Sequence, residues 1–343
     1  MPTPRKLPML AVLAAAAALL LLPAAAQASL TFVRGQLDRS VYVARDDGSG
    51  VRKVGPGDSP HMAPDGQWVA YLREASPGKP ELRLAPVAGG PGRTLMKGWR
   101  EPFDLEFSPN GEQILALRGG ELGKRKLVLV TIATGAQKVL SSGYFSGFSF
   151  DPEGKEIVFA KSNSERYPPR SDVFRVPVSG GKAVALTKDH RSLDPLWGPT
   201  GRIAFVKLLG ASQRRYGPKN EIYLMKPDGK GVKRLTRTVV DPLLQGLFPT
   251  AWSGDGKRLL TEFTGQDTSY AVGVNAQTGA QKPIGPVGES GFVGTALSAD
   301  GRTVLGFEGG FDPAGKHTVV TRPFGGGKAK VLVRNAYEPD WSF

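Results

Sequence analysis

An all-β fold built from repeated four-stranded units is what this sequence predicts. Three observations carry it: a short motif that recurs at nearly constant spacing, a second turn signal inside every repeat, and two chain ends that each lack what the other supplies.

The motif is an apolar or aromatic residue, a small residue, two loose positions, then Gly and a strand. It occurs as Met62-Ala63-Pro64-Asp65-Gly66 before Trp68 to Leu72, and as Phe107-Ser108-Pro109-Asn110-Gly111 before Ile114 to Leu117. It returns at Phe150, Trp197, Trp252 and Leu297, and the motif glycines advance by 45, 43, 47, 55 and 45 residues. A period of that size belongs to propeller blades, in which each repeat is one small antiparallel sheet.

Each motif strand leads to a further hairpin. The best copy runs Ile222-Tyr223-Leu224-Met225-Lys226-Pro227-Asp228-Gly229, then Val232 to Thr236. Others turn at Asp47-Gly48, Gly89-Gly90, Thr134-Gly135, Gly180-Gly181, Thr278-Gly279 and Gly325-Gly326. Gly and Asp supply turn conformations that other residues resist. Each unit therefore reads as strands A to D.

The ends set the count. Leu30 to Val54 reads as strands B, C and D, whereas Tyr337 to Phe343 reads as a strand A with nothing after it. Joining them gives a blade shared between the termini, which would leave no open sheet edge. Seven units over residues 29–343 give 45 residues each. The expectation is an all-β, seven-bladed β-propeller with four-stranded antiparallel blades, with six blades as the alternative.

The repeat resembles that of TolB-like propellers, roughly P-x-W-S-P-D-G-x-x-I-A-F followed by I-Y-V-M-x-x-D-G and a distant L-T. Asp194-Pro195-Leu196-Trp197 and Ile222 to Thr236 carry the resemblance best, and it spans nearly all of residues 29–343. It implies fold more than function. TolB has an additional α/β domain before a six-bladed ring, which this sequence does not match, so a role in the Tol–Pal system is not implied.

Residues 1–28 read as a signal peptide: Arg5 and Lys6, an apolar run from Met9 to Leu22, then Ala26-Gln27-Ala28 as a cleavage site. The alternative is an uncleaved anchor. The predicted location is periplasmic or secreted, with residues 29–343 as one propeller domain. There is no cysteine, which excludes disulfides, thiol nucleophiles and cysteine metal sites. The formal charge is +14, and losing Arg5 and Lys6 leaves +12. That balance favours acidic surfaces such as lipid headgroups, polyanionic glycans or acidic proteins. Nucleic acid is not expected of an exported chain, and a monomer is expected.

The D-G and P-x-G turns, and the aromatic residues at Phe107, Phe150, Trp197, Trp252 and Trp341, read as structural. The B–C loops and D–A connections share the opposite face. Two long B–C loops, Lys161–Ser171 and Lys207–Asn220, hold the candidate binding residues Arg166, Tyr167, Arg170, Arg214, Arg215, Tyr216 and Lys219, types that make interface hot spots. Other B–C loops add Arg73, Lys79, Arg118, Lys124 and Arg125. Asp58, Asp104, Asp194 and Glu338 lie at the start of strands A, which line the channel, and could hold a cation or a basic peptide end. Gly147, Pro249 and Gly294 leave that ring incomplete.

Catalysis has little support in the sequence. His61, His190 and His317 fall in different repeats, with no metal-ligand spacing and no G-x-S-x-G elbow. His190 near Asp194 is an acid–imidazole pair close in the chain. The expected function is a non-catalytic scaffold for a protein or acidic cell-envelope partner, without a cofactor beyond a channel-bound cation. The alternatives are a channel-mouth enzyme of the metal-dependent lactonase or lyase kind, and a glycan- or ligand-binding module.

Overall fold

The computed structural model describes residues 29–77, 79–97, 105–119, 123–164, 168–210, 218–239, 244–265, 268–288, 291–309 and 316–342. The predicted signal peptide lies outside the described residues. No helix among the described residues is long and apolar enough to cross a membrane.

The strands run β1 (Ser29–Arg34), β2 (Ser40–Arg45) and β3 (Arg52–Pro56), then β4 (Asp58–Met62), β5 (Trp68–Glu74), β6 (Pro80–Pro86) and β7 (Arg93–Lys97). Next come β8 (Leu105–Phe107), β9 (Gln113–Arg118), β10 (Arg125–Thr131), β11 (Gln137–Phe150), β12 (Glu156–Ser162), β13 (Ser171–Pro177) and β14 (Val184–Ala185). Then follow β15 (Ser192–Trp197), β16 (Ile203–Leu209), β17 (Lys219–Met225), β18 (Lys233–Arg234), β19 (Leu244–Trp252), β20 (Arg258–Gly265), β21 (Ser269–Asn275) and β22 (Gln281–Pro283). The last are β23 (Phe292–Leu297), β24 (Thr303–Glu308), β25 (Thr318–Pro323), β26 (Lys330–Arg334) and β27 (Tyr337–Trp341).

Seven separate four-stranded blades in a closed ring, the sequence expectation, are not what these strands form. They make five hydrogen-bonded sheets, none closed on itself: three of four strands, one of seven and one of eight. Two local features fuse what the repeat alone would keep apart. Strand β11 runs 14 residues, pairing with β10 through its first half and with β12 through its second. Strands β17 and β19 touch in parallel at Asn220 and Gly246, where a Cβ on Gly246 would lie 2.4 Å from the Asn220 carbonyl oxygen. Only glycine permits that approach. The terminal strands do pair: β27 lies antiparallel to β1, with Leu30 opposite Trp341.

Apolar alternation drives the packing. Leu82, Leu84, Leu105, Ile114 and Val128 form one buried cluster between the β4–β7 sheet and the β8–β10 strands. Leu30, Phe32, Leu305, Phe307 and Val319 form another, against which Tyr337 and Trp341 of β27 pack. The D-G turns are structural, as expected. Ser253 Oγ donates to Asp255 at 2.7 Å and accepts from the Arg258 N–H at 3.0 Å. Ser108 and Ser298 repeat the device.

Candidate functional site

Strands β4, β8, β11, β15, β19, β23 and β27 all border one cavity of about 1260 Å³. Each of them except the short β8 carries a register shift in its pairing with the next strand or, for β27, with β1. Such bulges re-aim side chains near a site. At four equivalent places the backbone turns left-handed: Ser59 (φ 50°), Gly147 (φ 82°), Asp194 (φ 43°) and Glu338 (φ 48°). Three of these are not glycine, so each holds a sparsely populated conformation at a cost of roughly 1–3 kcal/mol. A Cβ on Gly147 would sit 2.8 Å from the Asp194 Cα, so these two inner strands approach closely here.

Two of the predicted channel acids, Asp194 and Glu338, do line this cavity. Asp58 does not occupy the matching position; Ser59 does. Asp58 instead pairs with Arg39, Nη1 to Oδ2 at 3.1 Å, and Arg39 reaches the cavity wall. Asp104 lies outside the described residues. The walls also hold acids that the sequence reading passed over: Glu106, Glu262 and Asp340.

These acids bind their neighbours' backbone. Glu338 accepts from the Ser59 N–H at 3.0 Å, and Asp340 accepts from the Met62 N–H at 2.8 Å. Glu106 accepts from the Phe150 N–H at 3.2 Å and from Ser149 Oγ at 3.4 Å. Ser149 Oγ in turn accepts from the Trp197 N–H at 3.2 Å. Side chains of one inner strand thus satisfy donors on the next, where no ladder joins them.

Burial raises these carboxyl groups. That of Glu106 is pushed up to about 8, against the lowering effect of its hydrogen bonds. Burial also raises Glu262, Glu338 and Asp340; Ser269 Oγ–H, the Ser59 N–H and the His61 charge respectively pull the other way. Such groups stay protonated further toward neutral pH than free carboxylates.

The three histidines divide. His61 and His317 both line the cavity, and the His317 ring lies edge-on to Phe307 and tilted against Tyr337 at ring distances of 5.8 and 5.4 Å. His190 is elsewhere and does not pair with Asp194. Its Nδ1 lies 2.6 Å from Asp172, whose other oxygen takes Thr187 Oγ and the His190 N–H.

Of the predicted loop residues, Arg170 is exposed on its connection. Lys219 is not a free contact residue: it pairs with the fully buried Glu221 at 2.7 Å, which Arg234 also holds at 3.0 Å. Arg166, Tyr167, Arg214, Arg215 and Tyr216 lie outside the described residues.

Among the described residues, no group of three His, Asp or Glu side chains converges to hold a metal ion.

No family model matches the chain. Over 115 residues it is 29% identical to the uncharacterized peptidase YuxL of Bacillus subtilis, a stretch covering 32% of this chain and only 16% of that protein. TolB from Acinetobacter baumannii superposes with a TM-score of 0.55 at 16% identity, over 92% of this chain and 83% of TolB. An oligogalacturonate lyase solved in complex with manganese gives a TM-score of 0.59 at 15% identity, over 80% of this chain and 76% of the lyase.

The fold is propeller-like. It is related at low identity to binding proteins, lyases and peptidases alike, and not to TolB in particular. This corrects the expectation that weighed against an enzyme, since the fold serves binding proteins and enzymes alike and does not favour a scaffold. The same fold carries a lyase, and the scattered histidines that argued against catalysis are not all scattered, since His61 and His317 share the cavity. The manganese of that lyase finds no matching ligand group among the described residues.

Proposed function

We propose that the chain is a channel-mouth enzyme of the lyase-like kind, acting on an acidic glycan, and that it works after export. The observation that carries this is the Glu106 carboxyl, which borders the cavity and which burial pushes up to about 8. Near neutral pH such a group is still mostly protonated, as a general acid must be.

Elimination at a uronate needs a base to take the proton beside the carboxylate. It also needs an acid to protonate the oxygen that leaves as the C–O bond breaks. His61 or His317 supplies the base, and Glu106 the acid. The raised carboxyls serve a second purpose, because a group that stays protonated further toward neutral pH repels an anionic substrate less than a free carboxylate does. Arg39 at the wall and the positive exterior draw that substrate in. Phe148, Phe248 and Tyr337 offer faces for sugar rings.

The test is release of unsaturated uronate from oligogalacturonate, followed by ultraviolet absorbance. The expected result is turnover that falls about a hundredfold or more in Glu106→Gln, with the fold retained. Absence of product from oligogalacturonate and from other uronate oligomers would overturn the assignment.

A further inference from the structure

Antiparallel pairing sends the β1–β2, β18–β19 and β22–β23 connections to the same end of the molecule as the cavity mouth. Those connections carry Leu37, Val239 and Val287, which are 97%, 99% and 57% exposed. The other exposed valines differ. Val139, Val184 and Val331 lie on strands, and Val51 and Val232 lie in tight connections at the opposite end, each 40–54% exposed. A sheet edge explains half-exposed valines. It does not explain aliphatic side chains standing free at loop tips.

The same end is basic. Lys79, Lys124, Arg170, Lys188, Arg191 and Arg237 are all exposed on its connections. Exposed acids are fewer there: Asp38 and Glu74 stand on the same end, and Asp189 is paired with Lys207 at 2.7 Å. The opposite end is mixed: its tight turns carry Glu153, Asp255 and Asp300, each paired locally with a base, Lys155, Lys257 and Arg302 respectively. Among the described residues, the mouth therefore combines an excess of bases with exposed aliphatic tips, whereas the tight turns carry both signs of charge in local pairs.

We propose that this face docks on an anionic lipid surface, with Leu37, Val239 and Val287 entering the headgroup region and the surrounding bases contacting lipid phosphates. A protein partner fits these observations less well. Protein hot spots cluster centrally and are rich in aromatic residues, whereas the three tips sit on three separate connections and, among the described residues, Phe148, Phe248, Phe307 and Tyr337 line the cavity. Isolated aliphatic tips ringed by bases match a fluid acidic interface, which needs no fixed complementary shape. This inference is independent of the glycan reading, because a soluble polyanion would use the bases and leave the aliphatic tips in water.

The experiment is co-sedimentation with vesicles, using protein that begins at Ser29 so that the apolar N-terminal segment takes no part. All the described strands lie within that chain. Binding is expected to vesicles containing phosphatidylglycerol and not to pure phosphatidylcholine, and to weaken strongly as salt rises. Leu37→Ser with Val239→Ser is expected to lower partitioning about tenfold or more, since each aliphatic side chain gains its affinity by leaving water. Val184→Ser is expected to change nothing. Far-ultraviolet circular dichroism checks that each variant is folded, and the salt dependence of the unaltered protein is a separate readout that needs no variant. Failure to bind phosphatidylglycerol vesicles, or binding that ignores Leu37 and Val239, overturns the proposal.

Discussion

The two ends of the molecule obey different rules. At the tight-turn end, three repeats use one hydrogen-bond device: Ser108, Ser253 and Ser298 each tie the turn's Asn or Asp to the first N–H of the next strand. At the mouth, the equivalent places hold one backbone shape and different chemistry. Ser59, Gly147, Asp194 and Glu338 share a left-handed conformation, yet their side chains are a hydroxyl, nothing, and two carboxyls. What the repeat keeps constant makes the sheets. What it varies makes the cavity.

That contrast is broken most severely by removing β27. Deleting residues 337–343 takes away Tyr337 and Trp341 from their apolar cluster and the acceptors of the Ser59 and Met62 N–H groups. It also exposes the edge of β1. The expected loss is several kcal/mol, enough to lower the melting temperature far more than trimming an ordinary tail. Unchanged melting in differential scanning fluorimetry would mean that the mouth is an ornament on an independent set of sheets.

The part of the architecture that repeats was legible because repeated chemistry leaves a repeated pattern. The serine turns, the aromatic residues ending the inner strands and the pairing of β27 with β1 follow from it. The fusion of sheets was not legible. Gln137–Phe150 contains Ser141-Ser142-Gly143, which reads as a break, but the backbone passes straight through and pairs on both sides. The site was half legible. Attention to the third residue before each wedge aromatic found Asp194 and Glu338. Strand alternation also puts the residue immediately before that wedge on the channel side, and this is where His61, Glu106 and Asp340 stand. The bulges hid the relation in β4, where Asp58 sits one place too early and Ser59 takes the position.

Glu106 gives a sharper test of the mouth. Its folded value of about 8 lies above the ordinary 4.5, so the fold favours its protonated form. The resulting stability is fully present below about pH 4.5 and is lost as pH rises through about 8. Glu106→Gln keeps an acceptor for the Phe150 N–H and removes the charge. Urea unfolding midpoints measured from acid to alkaline pH are expected to fall in the unaltered protein and to stay flatter in the variant. The gap at pH 9 is on the order of a few kcal/mol. Parallel curves would show that Glu106 is more hydrated than its surroundings indicate, and would remove the acid from the proposed mechanism.

The smallest effect belongs to the tight-turn end, and its form matters more than its size. Ser108 and Ser253 are buried, and each loses one donated and one accepted hydrogen bond when replaced by Ala. Each replacement is expected to cost about 1–2 kcal/mol, the ordinary result of leaving a strand N–H poorly satisfied. The two turns lie in different sheets and share no partner, so the double variant is expected to lose the sum of the two. No titrating group changes its burial, so the loss is expected to be the same at pH 5 and pH 9, unlike that of Glu106→Gln. Double-mutant cycles in urea at both pH values check this. A coupling above about 0.5 kcal/mol, or a pH-dependent loss, would mean that the repeated turns also communicate with the cavity, and that the division between the two ends is less clean than their hydrogen bonds indicate.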